Sequence, residues 1–210
     1  MHTRAMVVPT DSRIDLTVPT LTGHVPDYED DIEKVLISSE EIQDTIRRLG
    51  DQITQDYADE DNLLLVGVLK GAFVVMADLS RHIRLPVEFD FMAVSSYGAA
   101  TKTSGVVRIL KDLDHEIQGR NVLLVEDIVD SGLTLSYLLK NLRTRRPRSL
   151  EVCALMQKTD VQQVPLDIRY RGFAIPPVFV VGYGLDIGER FRNLPYVATL
   201  KPEAYADFAT

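Results

Sequence analysis

The stretch of this 210-residue chain richest in reactive groups reads Glu126-Asp127, then Ile128-Val129, then Asp130-Ser131-Gly132-Leu133-Thr134. Gly132 lets backbone amides approach an anion closely, Ser131 and Thr134 add hydroxyl donors, and free N–H groups at a helix start favour phosphate. Together they make a phosphate cradle without a lysine. The two carboxylates before it, where a short strand is expected to end, can bind Mg²⁺ or accept hydrogen bonds from sugar hydroxyls. Taken singly, the acidic pair reads as exposed polarity and Asp130 or Ser131 as an ordinary helix cap; the information is in their order. Rival motifs fail: no Gly-x-x-x-x-Gly-Lys-Ser/Thr occurs, and Gly182-Tyr-Gly184-Leu-Asp-Ile-Gly188 has the wrong spacing for a dinucleotide loop. His2, His24, His82 and His115 are scattered, which argues against a zinc site or a histidine triad.

Elements that could position such groups follow from periodicity. Ser38 or Ser39 can cap a helix with Glu41 close behind, and Ile42, Ile46, Leu49 and Ile53 recur at helical spacing, so a helix is expected over Ser39–Asp56. The continuous apolar run Leu63–Leu69 suits a strand covered on both faces and leads directly into Lys70-Gly71 and a helical stretch over 72–83. Strands are expected over 87–94, 121–125, 150–156 and 178–182, with a helix over 133–142. This alternation predicts a doubly wound α/β fold with a mostly parallel twisted sheet, whose ligands bind beyond the carboxyl ends of the strands. The stretch 95–105, rich in Ser, Thr, Gly and Ala, reads as a lid or binding loop. Residues 1–31 mix prolines, threonines and acids without period and read as a flexible extension to a single domain over 32–210.

Composition narrows the partners. With 45% hydrophobic and 26% charged residues the chain is ordinary globular material, and a net charge of −8 offers no attractive field for nucleic acid or an anionic membrane. The single cysteine, Cys153, lies in an apolar run, so no internal disulfide can form and burial as a small hydrophobe is expected. No apolar stretch approaches the roughly 20 residues that span a bilayer, and the start has no apolar signal segment. A cytoplasmic protein is expected.

The order of two apolar strand residues, two acids, two apolar residues and Asp-Ser-Gly-x-Thr closely resembles the signature with which type I phosphoribosyltransferases bind 5-phosphoribosyl 1-pyrophosphate (PRPP). From Val35 to about Tyr205 the motifs resemble the hypoxanthine-guanine branch of that family, the bacterial form most closely. The resemblance implies the type I phosphoribosyltransferase fold with a small hood formed by the N- and C-terminal segments. It implies Mg²⁺-dependent transfer of the 5-phosphoribosyl group from PRPP to hypoxanthine or guanine, giving IMP or GMP plus pyrophosphate, in a homotetramer or homodimer. Residue by residue, Glu126, Asp127, Asp130, Ser131, Gly132, Leu133 and Thr134 would hold the 5′-phosphate and ribose. Lys70, Gly71, Ser96, Tyr97 and Arg192 would meet pyrophosphate, with Ser96-Tyr97 opening a loop that closes over the site. Lys158, Phe179, Val180 and Asp186 would meet the purine: Lys158 donating to the 6-oxo group, Phe179 stacking, the Val180 backbone on the Watson–Crick edge. Glu126, Asp127 and Asp186 would serve the metal, and Asp130, Lys158 and Arg192 the chemistry, with Asp130 taking the N7 proton or balancing charge. Ile187-Gly188 departs from the family pattern, where an aromatic often follows the aspartate, and Gln157-Lys158-Thr-Asp varies around the lysine; both bear on purine preference. A xanthine- or pyrimidine-selective transferase and a PRPP-sensing transcriptional regulator are the alternatives; Lys158 with Phe179 favours a purine, and the acidic charge argues against the regulator.

Overall fold

The computed structural model describes residues 28–96 and 107–205. Tyr97 and most of the 95–105 stretch lie outside the described residues, as does the extension before residue 28. Eight strands and four α-helices follow in the order β1 (Ile32–Ile37), α1 (Ser39–Asp56), β2 (Leu63–Leu69), α2 (Ala72–His82), β3 (Val87–Ser96), β4 (Val107–Lys111), β5 (Asn121–Val129), α3 (Leu133–Arg143), β6 (Ser149–Lys158), β7 (Tyr170–Ile175), β8 (Val197–Leu200) and the single turn α4 (Pro202–Tyr205).

Six strands form one twisted sheet in the order β4-β3-β2-β5-β6-β7, parallel throughout except for β4, which pairs antiparallel with β3. The continuous apolar runs are explained by cover on both faces. Leu63 and Leu65 of β2, Leu123 and Val125 of β5, and Cys153 and Leu155 of β6 pack with the buried stripes of α1 and α2. The intervening Leu64, Val66, Val122, Leu124, Val152 and Ala154 pack with Leu135, Leu138, Leu139 and Leu142 of α3. A period of two thus feeds two cores from the same strands. Helix α1 starts in a complete capping box: the Glu41 amide donates to Ser38 Oγ at 3.3 Å and the Ser38 amide donates to Glu41 Oε2 at 2.8 Å. Ile42, Ile46, Leu49 and Ile53 are fully buried, each contributing about 1.5–3 kcal/mol of gross apolar burial.

Three expectations about strands need correction. β5 does not stop at Val125: its pairing with β2 ends at Gly67 opposite Val125, but pairing with β6 continues to Val129 opposite Gln157. Glu126 and Asp127 are therefore strand residues rather than loop residues. By the same pairing β6 runs on to Lys158, its last residue. Residues 178–182 form no strand; Pro176 and Pro177 remove amide donors before them, and Gly182 (φ 94°), Tyr183 (φ 49°) and Gly184 (φ 98°) curl the chain after them. The apolar character of this segment reflects burial of Val180 and Val181, and its regular pairing among the described residues is confined to isolated bridges of Val181 with Ala198 and of Gly182 with Leu185. β1 and β8, not foreseen from periodicity, pair antiparallel as a separate two-stranded sheet near the two ends of the described chain. None of the described helices is long and apolar enough to cross a membrane.

Candidate active site

Parallel β2, β5 and β6 end on the same side of the sheet, so the residues that terminate them converge although the sequence separates them widely. Two adjoining cavities result. The smaller, of about 190 Å³, is lined by Glu126, Asp130, Ser131, Gly132 and Thr134. The larger, of about 410 Å³, is lined by Lys70, Gly71, Glu126, Asp127, Asp130, Lys158, Phe179, Val180, Asp186 and Arg192. Val68, Glu126, Ile128 and Asp130 line both, so the two cavities share a wall. Of the residues singled out from sequence, Leu133 lines neither cavity; it opens α3, with 37% of its surface exposed. Ser96 ends β3, and its side chain, like all of Tyr97, is outside the described residues.

The small cavity owes its shape to Gly132. Its φ of 80° reverses the chain between β5 and α3, a conformation that favours glycine, and a Cβ there would lie 2.5 Å from Leu166 Cδ1, so the end of that side chain would have to move. The Gln163 amide donates to the Ser131 carbonyl at 2.9 Å, buttressing the loop from the segment after β6. Gly132 is the N-cap of α3 and supplies no side-chain cap; Ser131 Oγ lies 3.5 Å from the Leu133 amide, a weak contact at best. The amides at the start of α3 are thus left for an anion. Asp130 does not cap α3 either. Its Oδ2 accepts from Lys158 Nζ at 2.8 Å, joining the end of β5 to the end of β6.

Strand placement changes the acids. Glu126 is 8% exposed, and burial, reinforced by the Asp127 charge, pushes its carboxyl well above the usual range. Asp127 is pushed up to about 6, mainly by burial and further by Asp186, against hydrogen bonds from the backbone and the Arg192 charge. Its Oδ1 accepts from the Ile128 amide at 2.8 Å. Gly71 packs directly over it: a Cβ at that position would lie 1.6 Å from Asp127 Oδ2. The Leu69–Lys70 peptide preceding it is cis. The oxygen-only donor set of Glu126, Asp127 and Asp186 suits a hard cation such as Mg²⁺. Among the described residues no group of three or more His, Cys, Asp or Glu side chains is placed to hold a metal ion, so these three carboxylates do not form a metal centre by themselves.

Opposite the acids lies a cationic rim. Arg192 donates to Asp186 Oδ1 at 2.7 Å, to the Gly184 carbonyl at 2.7 Å and to Glu189 Oε2 at 3.3 Å. Lys70 Nζ meets Glu189 Oε1 at 2.9 Å. Glu189 was not apparent from sequence; an acid three residues before Arg192 was the available signal. Tyr183 carries no site role in the sequence reading, yet its hydroxyl bonds Asp78 and lies near Gln43, fastening the 182–185 turn to α2 and α1. Val180 is buried, while Phe179 exposes 52% of its surface at the cleft mouth. Aromatic face, paired lysine and aspartate, phosphate hollow and cationic rim surround one cleft.

Comparison with known proteins identifies the family. A family model described as a phosphoribosyl transferase domain matches residues 38–187. The chain is 57% identical over 183 residues to a hypoxanthine-guanine phosphoribosyltransferase of Mycobacterium avium, covering 85% of this chain and 90% of that one. It is 51% identical over 175 residues to the protein of the same name from Bacillus subtilis, covering 83% and 97%. A crystal structure of a hypoxanthine phosphoribosyltransferase from Staphylococcus aureus superimposes with a TM-score of 0.81 at 43% identity, covering 85% of this chain and 96% of that one.

Proposed function

Since the chain belongs to the hypoxanthine-guanine phosphoribosyltransferase family, we propose that it transfers the 5-phosphoribosyl group of PRPP to hypoxanthine or guanine, releasing pyrophosphate. The observation that carries this reading is the adjacency of the two cavities, which share Glu126 and Asp130 in their walls. A molecule with phosphate at one end, pyrophosphate at the other and a sugar between matches that layout.

In this reading the 5′-phosphate sits at the start of α3, held by the Ser131–Thr134 backbone and hydroxyls. Glu126 and Asp127 accept from the ribose hydroxyls, and Lys70 and Arg192 stabilise the departing pyrophosphate. Mg²⁺ would be held by Asp127, Asp186 and Glu126 together with ligand oxygens, and would neutralise charge on the leaving group. Lys158 and Asp130, already 2.8 Å apart, present a donor and an acceptor side by side. They suit the purine edge that carries the 6-oxo group and N7: Lys158 donates to the oxygen, and Asp130 takes or balances the N7 proton. An adenine, with an amino group at that place, would face a cation. Phe179 covers the purine face. Closure of the loop containing Ser96 and Tyr97 would exclude water from the oxocarbenium-like sugar. A cytoplasmic homodimer or homotetramer belongs to the same proposal.

The test is a panel of hypoxanthine, guanine, xanthine and adenine, each incubated with PRPP and Mg²⁺ and read by nucleotide formation. IMP and GMP formation is expected, with adenine inert. Nucleotide from none of the purines would overturn the activity, and xanthine as the best substrate would replace the assigned bases.

A further inference from the structure

Glu189 stands where the reaction scheme has no use for a carboxylate. Its two oxygens are divided between the cations assigned to pyrophosphate: Oε1 lies 2.9 Å from Lys70 Nζ, and Oε2 lies 3.3 Å from both Nε and an Nη of Arg192. The chain turns through a left-handed residue to put it there, φ 66° at a non-glycine position, with the Glu189 amide anchored on Asp186 Oδ2 at 2.8 Å. Lys70 comes from the end of β2, so the contact ties together positions 119 residues apart.

Orientation of Arg192 does not depend on this contact. Asp186 and the Gly184 carbonyl hold its guanidinium at 2.7 Å each, and Arg192 and Asp186 are both 26% exposed, whereas Glu189 is 61% exposed. Glu189 is therefore the outer partner, the one an incoming anion meets first. Exposed ion pairs of this kind are weak and exchange readily with a stronger anion. The Lys70 hydrogen bond, with help from Arg192, holds the Glu189 carboxyl below its ordinary range, so it remains charged at neutral pH.

We infer that Glu189 is an internal placeholder for pyrophosphate: its carboxylate neutralises Lys70 and Arg192 in the empty site and is displaced when PRPP or pyrophosphate binds. This deepens the function proposed above and rests on it. A built-in competitor weakens the bound pyrophosphate group, and for a reaction whose product is pyrophosphate itself, that favours release. Glu189 acts through the charge of the two cations and does not touch reacting atoms.

The experiment is calorimetric titration of the full-length wild type, Glu189→Gln and Glu189→Ala with inorganic pyrophosphate, and separately with a nucleoside 5′-monophosphate, whose phosphate binds at the other end of the cleft. Both variants should bind pyrophosphate about two- to tenfold more tightly than wild type, in line with losing two exposed ion-pair contacts, with monophosphate affinity unchanged. The gap should narrow as salt is raised. If Glu189 instead props Lys70 and Arg192 in place, both variants bind pyrophosphate more weakly, and the inference is overturned; equal affinity in all three overturns it too. Failure of the wild type to bind either ligand would bring down the proposed function itself, a result distinct from the other two.

Discussion

Asp127→Asn offers the sharpest check on the electrostatics of the cleft, because it should make the protein more stable while removing function. Moving a carboxyl from an ordinary 3.8 to about 6 means that the folded chain disfavours its ionised form by about 3 kcal/mol. The sign follows from the raised value: the folded state prefers the neutral acid, so the associated stability is fully present below pH 3.8 and is lost as pH rises through about 6. Asparagine keeps the size and the acceptor for the Ile128 amide and never ionises. In metal-free, ligand-free buffer the variant should therefore be more stable by about 3 kcal/mol at pH 8 but only about half of that at pH 5. For a chain of this size, that is a melting-temperature advantage of roughly 6–12 °C at pH 8, shrinking by about 3–6 °C at pH 5. Thermal melts of both proteins across pH 5–8 measure it, and Mg²⁺-dependent PRPP binding by the same samples should be much weaker in the variant. A melting-temperature difference that is flat with pH, or a variant less stable than wild type at pH 8, would refute the claim that burial dominates at this carboxyl.

Lys158→Ala should weaken base affinity by about 1.5–3 kcal/mol, the worth of a charge-assisted donor, with PRPP affinity held; equal losses for both substrates in steady-state kinetics would reassign the lysine. Asp130→Asn should lower turnover about 10²–10⁴-fold with small changes in Michaelis constants, and near-wild-type turnover would remove it from the chemistry. Since Asp130 bonds Lys158 rather than capping α3, the same variant should melt close to wild type. Gly71→Ala should abolish PRPP binding, because its Cβ would fall 1.6 Å from Asp127 Oδ2; full affinity in a well-folded variant would show that the strand end moves freely.

What the sequence determined by itself was local and periodic. Continuous apolar runs at 63–69 and 121–125 demanded strands covered on both faces, the Ser38–Glu41 box and the isoleucine spacing demanded α1, and Gly132 among short polar residues demanded a tight turn before a helix. These readings rest on interactions within a few residues, where spacing alone sets geometry. Tertiary pairing decided the rest. How far β5 and β6 extend depends on neighbouring strands, so only the sheet shows that Glu126 is a buried and Asp127 a half-buried strand acid, both with raised pKa values, rather than exposed loop acids. Nor does spacing distinguish apolar residues buried in a strand from those buried in a turn, which is why 178–182 reads as a strand until its prolines and left-handed residues are seen to curl it. The union of Lys158 with Asp130, and of Lys70 with Glu189, joins positions 28 and 119 residues apart. Local spacing carries no information about such contacts; the first exists because parallel β5 and β6 end on one side of the sheet, and the second because the turn carrying Glu189 folds back against the end of β2.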